Sequence, residues 1–104
     1  MIVVLGSVVA HAQHFDEVLS ISYEHVLRSR AEPGCIAHAV HLDSENPLRL
    51  VFVEQWTDQT MLWQHFAVPA ARAFGRRLAA LASAPPIINI FEATPVAVPA
   101  RSGR

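Results

Sequence analysis

Hydrophobic and polar positions change period several times along the chain, and each change marks an element. Ile2–Val9 is a nearly continuous apolar run broken only by Gly6 and Ser7, the pattern of a strand buried on both faces. From Phe15 the repeat lengthens. Phe15, Val18, Leu19, Ser22, Val26 and Leu27 share one face of an amphipathic helix reaching Arg30, with Asp16 and Glu17 in its first turn and Arg28 and Arg30 in its last, as the helix dipole favours. On this reading Glu24 and Arg28 pair on the outer face, and His25 also belongs to that surface. Glu32-Pro33-Gly34 stops the helix. Cys35–Leu42 and Leu48–Trp56 read as a hairpin around Asp43–Pro47. Thr57 or Asp58 caps a short helix to Phe66, Pro69 opens another that ends near Ala84, and Pro85-Pro86 precedes a last strand, Ile87–Glu92.

The order β-α-β-β-α-β predicts an α+β, ferredoxin-like fold: a four-stranded antiparallel sheet with the first and third strands central. One domain spans 1–94, and Pro95 and Pro99 make 95–104 an irregular tail. Several strands carry apolar residues on both sides, whereas helices cover only one face of such a sheet. A second copy packed sheet to sheet is the simplest cover, so a homodimer is expected.

Composition narrows the functional classes. At 104 residues, 52% hydrophobic and 16% charged, the chain is a folding domain and not a disordered one. A net charge of −1, from eight Arg, no Lys and nine acidic residues, supplies no basic field for nucleic acid. No apolar run approaches the roughly 20 residues that span a bilayer. Met1–Ala12 imitates a secretory leader, with Ala10-His11-Ala12 as a small-x-small site, but no Arg or Lys precedes Arg28, and the β-branched run reads as a strand. A single cysteine, Cys35, forms no internal disulfide and suits a cytoplasmic setting; a small buried filler is its expected role.

Glu32-Pro33-Gly34-Cys35, Val53-Glu54-Gln55-Trp56, and Leu62-Trp63-Gln64-His65 followed by Val68-Pro69 stand in the order and spacing that resemble the antibiotic biosynthesis monooxygenase family, a branch of the dimeric α/β barrel proteins. The resemblance covers about residues 1–94. It implies a cofactor-independent monooxygenase acting with O₂ on a small aromatic or quinol-type substrate. Two alternatives remain open: a dimeric binder of a hydrophobic small molecule without turnover, and a haem-binding or haem-degrading relative with His65 as axial ligand. The sequence departs from the family where Ala70 and Ala71 follow Pro69 in place of a second His, and where the first strand lacks the Asn of the haem-degrading branch.

His65 is the expected catalytic base, since it lies on an apolar helix face and imidazole takes a proton near neutral pH. A His hydrogen-bonded to backbone is the competing reading. Trp56, Trp63, Phe66 and Phe74 are the expected substrate-pocket walls, with Asn89 a buried polar side chain in the last strand. Glu54 shares the Phe52 and Trp56 face and needs a partner. A metal site is not expected: His38 and His41 point to opposite sides of their strand, and His11 and His14 supply only two ligands. The late-helix arginines Arg72, Arg76 and Arg77 read as a solvated helix end.

Overall fold

The computed structural model describes residues 1–100. Strands β1 (Ile2–Val9), β2 (Cys35–Leu42), β3 (Arg49–Trp56) and β4 (Ile87–Glu92) form one antiparallel sheet in the order β2-β3-β1-β4. Helices α1 (Phe15–Arg30), α2 (Gln59–Ala67) and α3 (Pro69–Leu81) lie in the connections, with a short 3₁₀ turn (Ala12–His14) before α1. The first and third strands are central, as the element order predicts.

Local chemistry sets the boundaries. Asp58 is the N-cap of α2, its carboxylate accepting from the Met61 N–H at 2.9 Å. Pro69 occupies the start of α3, where its missing N–H costs nothing. That helix stops at Leu81 and not at Ala84, because the chain is drawn onto β1: Ala82 bridges Ala10, and Ser83 N–H donates to the Val9 carbonyl at 2.8 Å. Gly34 sits at φ +79°, a left-handed conformation open to glycine and costly for other residues, and ends the turn after α1.

Alternation along β1 and β3 sends Ile2, Val4 and Val8, and Leu50, Phe52 and Trp56, under the helices. Two clusters form the core: Val8, Val18, Val26, Leu50, Phe52 and Leu78 at one end, and Ile2, Val4, Trp56 and Leu62 at the other. The buried face of α1 differs from the face the sequence predicts. It runs Val18, Ile21, Ser22, His25, Val26, Ser29, while Leu27 is 48% exposed. Nine residues at about 100° each carry Leu27 half a turn past Val18, whereas His25 at seven returns to the stripe. His25 is therefore buried, not on the outer surface. Glu24 and Arg28 do not pair either, since the Arg28 guanidinium turns toward His25 and the Ala70 carbonyl.

The helices leave β4 uncovered: Ile87, Ile88, Ile90 and Phe91 are all exposed, as is Leu5 beside them. Residues 95–100 have no regular secondary structure, with Val96 and Val98 fully in solvent; the rest of the expected tail, 101–104, lies outside the described residues. No helix among the described residues is long and apolar enough to cross a membrane.

Candidate functional site

The two core clusters do not meet. Between them α1, β2, β3 and α2 bring together polar side chains that are almost fully withdrawn from water: His25, His38, Glu54 and His65. His65 is carried by the buried face of α2, one turn after Met61 and Leu62, and its ring packs on Trp56 with centroids 4.6 Å apart. Its Nδ1 lies 2.8 Å from Oε1 of Glu32. A carboxylate only accepts, so this contact puts a proton on Nδ1 and leaves Nε2 as the ring nitrogen turned away from Glu32. Glu32 owes its position to the turn that Gly34 completes.

His25 is oriented by different means. Its ring stacks on Phe74 of α3, with centroids 4.0 Å apart and planes 9° off parallel, and an Arg28 Nη2 donor lies 2.9 Å from its Nδ1. Burial, followed by the neighbouring His38, His65 and Arg28, lowers the His25 pKa from 6.5 to about 3, so the ring is neutral. His38 comes up from β2 directly opposite Glu54 of β3. Its Nε2 approaches Glu54 Oε1 at 3.3 Å, but off the hydrogen-bonding direction, and neither of its ring nitrogens has a hydrogen-bond partner. Glu54 accepts a 2.9 Å hydrogen bond from the Trp56 indole N–H. Burial alone would raise its pKa; the adjacent His38 imidazole, the indole N–H and the His65 ring outweigh that and hold the carboxyl below the usual range.

A cavity of about 200 Å³ opens onto this cluster from the uncovered side of β4. His25, His65 and Glu54 form its polar end, Phe52, Phe66, Phe74 and Leu78 its apolar walls, and Ile87 and Ile88 stand toward β4. Of the expected wall residues, Phe66 and Phe74 therefore border the cavity and two others do not. Trp56 is wholly buried behind His65, where its indole serves Glu54. Trp63 is 50% exposed and stacks loosely on Phe66 from outside. Asn89, expected to be buried, is exposed; it alternates with Ile88 and pairs with Leu5, which directs it to the open side of the sheet. Cys35 is half-buried, and burial, with Glu54 and Glu32 nearby, pushes its thiol pKa up, away from nucleophile chemistry.

Four residues of the cluster escape sequence reasoning: His25, His38, Glu32 and Arg28. Two signals for them exist. Helical phase counted from Val18 puts His25 inside. The hairpin puts His38 on the Glu54 face in the observed register and in one slipped by two, since only odd slips exchange faces.

Comparison with known proteins agrees with this architecture. A solved antibiotic biosynthesis monooxygenase superposes with a TM-score of 0.84 at 26% identity, covering 91% of this chain and all of that one. A Deinococcus radiodurans structure (TM-score 0.89, 22% identity, 97% and 100% covered) and one from Methanosarcina mazei (0.85, 24%, 89% and 92%) share the fold. An uncharacterized protein of Synechocystis is 29% identical over 91 residues, which is 88% of this chain but only 62% of that protein's length. The family model for antibiotic biosynthesis monooxygenases matches residues 1–77, and the chain belongs to that family.

Proposed function

We propose that this protein oxidises a small aromatic or quinol-type substrate with O₂, without a cofactor, in the cavity that ends at His65. The observation that carries the reading is the 2.8 Å Glu32–His65 contact at the polar end of an otherwise apolar chamber. With Nδ1 engaged, Nε2 is the nitrogen left to take a phenolic proton. The resulting phenolate is electron-rich enough to pass an electron to O₂. Recombination of the two radicals forms a C–O bond, and loss of water from the hydroperoxide leaves the quinone, so one O₂ yields one oxygenated product and one water with no external reductant. Apolar walls keep these intermediates from bulk water.

Size favours a single-ring or small bicyclic substrate. A cavity of about 150 Å³ accommodates benzene, and about 200 Å³ leaves room for substituents. It falls short of the roughly 300–1,000 Å³ typical of larger ligand sites, so the haem reading gains no support from the chamber.

The same reading has two copies packing their open sheet faces together. Val3, Leu5, Val51, Val53 and Phe91 lie on that face, and Leu5 and Phe91 are exposed in a single chain. The one-domain boundary at residue 94 belongs to this proposal as well.

The test is O₂ uptake with a panel of hydroquinones and naphthols. His65→Ala should lower kcat by about 10²–10⁴-fold, the range of general-base effects, and in any case by at least about tenfold. An unchanged rate removes His65 from the mechanism. Saturable binding of these compounds with no O₂ uptake replaces the enzyme reading with a binding one.

A further inference from the structure

Buried imidazoles seldom cluster without a reason, because each carries ring nitrogens that need partners. Here three converge from three different elements. His25 of α1, His38 of β2 and His65 of α2 are all buried, and one ring nitrogen of each lies within 4.8 Å of those of the others. Their ring centres are 5.2, 5.3 and 5.7 Å apart. Three imidazoles held tetrahedrally at the usual Zn–N distance of about 2.0–2.1 Å have ring centres about 5 Å apart and nitrogens about 3.4 Å apart. Side-chain adjustments of about an ångström would close the difference.

We propose that His25, His38 and His65 form a three-imidazole site for a divalent cation of the Zn²⁺ and Co²⁺ type. Three further observations point to a ligand. His38 is 2% exposed, yet both of its ring nitrogens lack a partner. Glu32 holds Nδ1 of His65, the carboxylate–histidine arrangement that orients an imidazole toward a metal and raises its basicity. Glu54, with Oε1 3.3 Å from His38, supplies negative charge beside the ion. His25 and His65 border the cavity while His38 lies behind them, so the remaining coordination position opens toward the cavity. That is the layout of an open three-histidine site able to bind water or a phenolic oxygen.

One present contact opposes the ion. Arg28 can only donate, and its Nη2 lies against Nδ1 of His25, which places that ring's proton on Nε2. Ligation through Nε2 requires the proton to move to Nδ1 and Arg28 to turn away. The Ala70 carbonyl, 3.4 Å from the same Nη2, offers it an alternative acceptor. Arg28 is therefore a competitor for the site, and its removal should tighten metal binding.

This inference stands apart from the oxygenase reading. An ion on Nε2 of His65 would occupy the nitrogen assigned to the substrate proton and would itself acidify a bound phenol or water. Chelator-treated protein is titrated with Co²⁺ and followed by visible absorption, with no substrate present. The expected result is intense bands of four- or five-coordinate cobalt that saturate at one equivalent per chain and disappear on adding Zn²⁺. His38→Ala should weaken binding at least about 100-fold, Glu32→Gln about 10–100-fold, and Arg28→Met should strengthen it severalfold. A His11→Ala/His14→Ala/His41→Ala variant should bind as the wild type does. The site is overturned by a spectrum no stronger than aqueous cobalt, by bands that survive His38→Ala, or by bands lost in the triple variant. If circular dichroism finds His38→Ala unfolded, unchanged affinity in both Glu32→Gln and Arg28→Met overturns it instead. O₂ uptake by metal-free protein separates the two readings: turnover without cobalt bands keeps the oxygenase and removes the metal site, and bands without turnover under either condition do the reverse.

Discussion

Gly34→Ala tests whether one backbone angle holds the site together. Gly34 has φ +79°, and a side chain there costs about 1–2 kcal/mol through crowding of Cβ with the carbonyl. The added methyl also has nowhere to go. It would overlap the Met61 side chain at the start of α2 and come within 2.9 Å of Thr57 Oγ1. Met61 Cβ is fixed to the helix, so relief requires α2 to move, an overpacking penalty of about 1–3 kcal/mol. The combined loss of about 2–5 kcal/mol is a large part of the roughly 5–15 kcal/mol of a typical domain. At about 4–8 °C per kcal/mol for a chain of this size, Tm should fall by about 10 °C or more. Urea and thermal unfolding followed by circular dichroism measure it directly. The substitution also reaches the chemistry, because Gly34 lies two residues from Glu32 and Met61 four from His65, on the two sides of the 2.8 Å contact. A loss below about 1 kcal/mol would refute the claim that this turn is sterically determined.

Gly75→Ala should have the opposite sign. Nothing lies within 4 Å of a methyl at this mid-helix position, so stability should rise by about 0.5–1 kcal/mol in the same unfolding assay. Gly75 also borders the cavity, so calorimetric affinity for a ring-sized ligand should change while the helix gains. For the pairing of sheet faces, light scattering at micromolar concentration should give twice the chain mass for the wild type and a single chain mass for Leu5→Arg. A monomeric wild type would refute the pairing.

The sequence carries the fold plainly because its elements are separated by strong punctuation. Glu32-Pro33-Gly34 and Pro69 fall where helices end or begin, Pro85-Pro86 immediately precedes β4, and β1, β3 and β4 coincide with runs rich in β-branched or aromatic residues. The site is less legible, for two reasons. First, its polar members lie where a hydropathy pattern expects apolar ones. Ser22, His25 and Ser29 continue the buried stripe of α1, so a search for apolar residues slides onto Leu27 and turns His25 outward. Second, its partnerships are long-range. His65 meets Glu32 across 33 positions of sequence, and three histidines from α1, β2 and α2 gather only when the sheet closes under the helices. Trp63 fails as a pocket wall on similar grounds: a helix offers Leu62 and His65 to the core, and Trp63, about 100° round the helix from Leu62 and about 160° from His65, must face out.

The buried polar cluster is also a stability question, and a pair of substitutions decides it. His38 is withdrawn from water with both ring nitrogens unpartnered, a defect that costs about 1–3 kcal/mol per buried group. Glu54 beside it is held as the carboxylate by His38, the Trp56 N–H and His65. Replacing His38 alone with Leu removes the defect but puts an apolar side chain where an imidazole stands 3.3 Å from a buried carboxylate, and leaving a buried charged group short of polar neighbours costs about 1–3 kcal/mol or more. The single substitution should therefore destabilise. Adding Glu54→Gln removes the stranded charge while keeping an oxygen to accept from the Trp56 indole. The double variant should recover at least about 2 kcal/mol over His38→Leu, a non-additivity that a four-corner urea-unfolding cycle resolves. If it also equals or exceeds the wild type, the charged and orphaned groups lower stability in the resting fold, and their presence is explained by what they do at the end of the cavity. Additivity within about 0.5 kcal/mol would mean that His38 and Glu54 do not depend on each other, and the cluster would reduce to separately tolerated polar side chains.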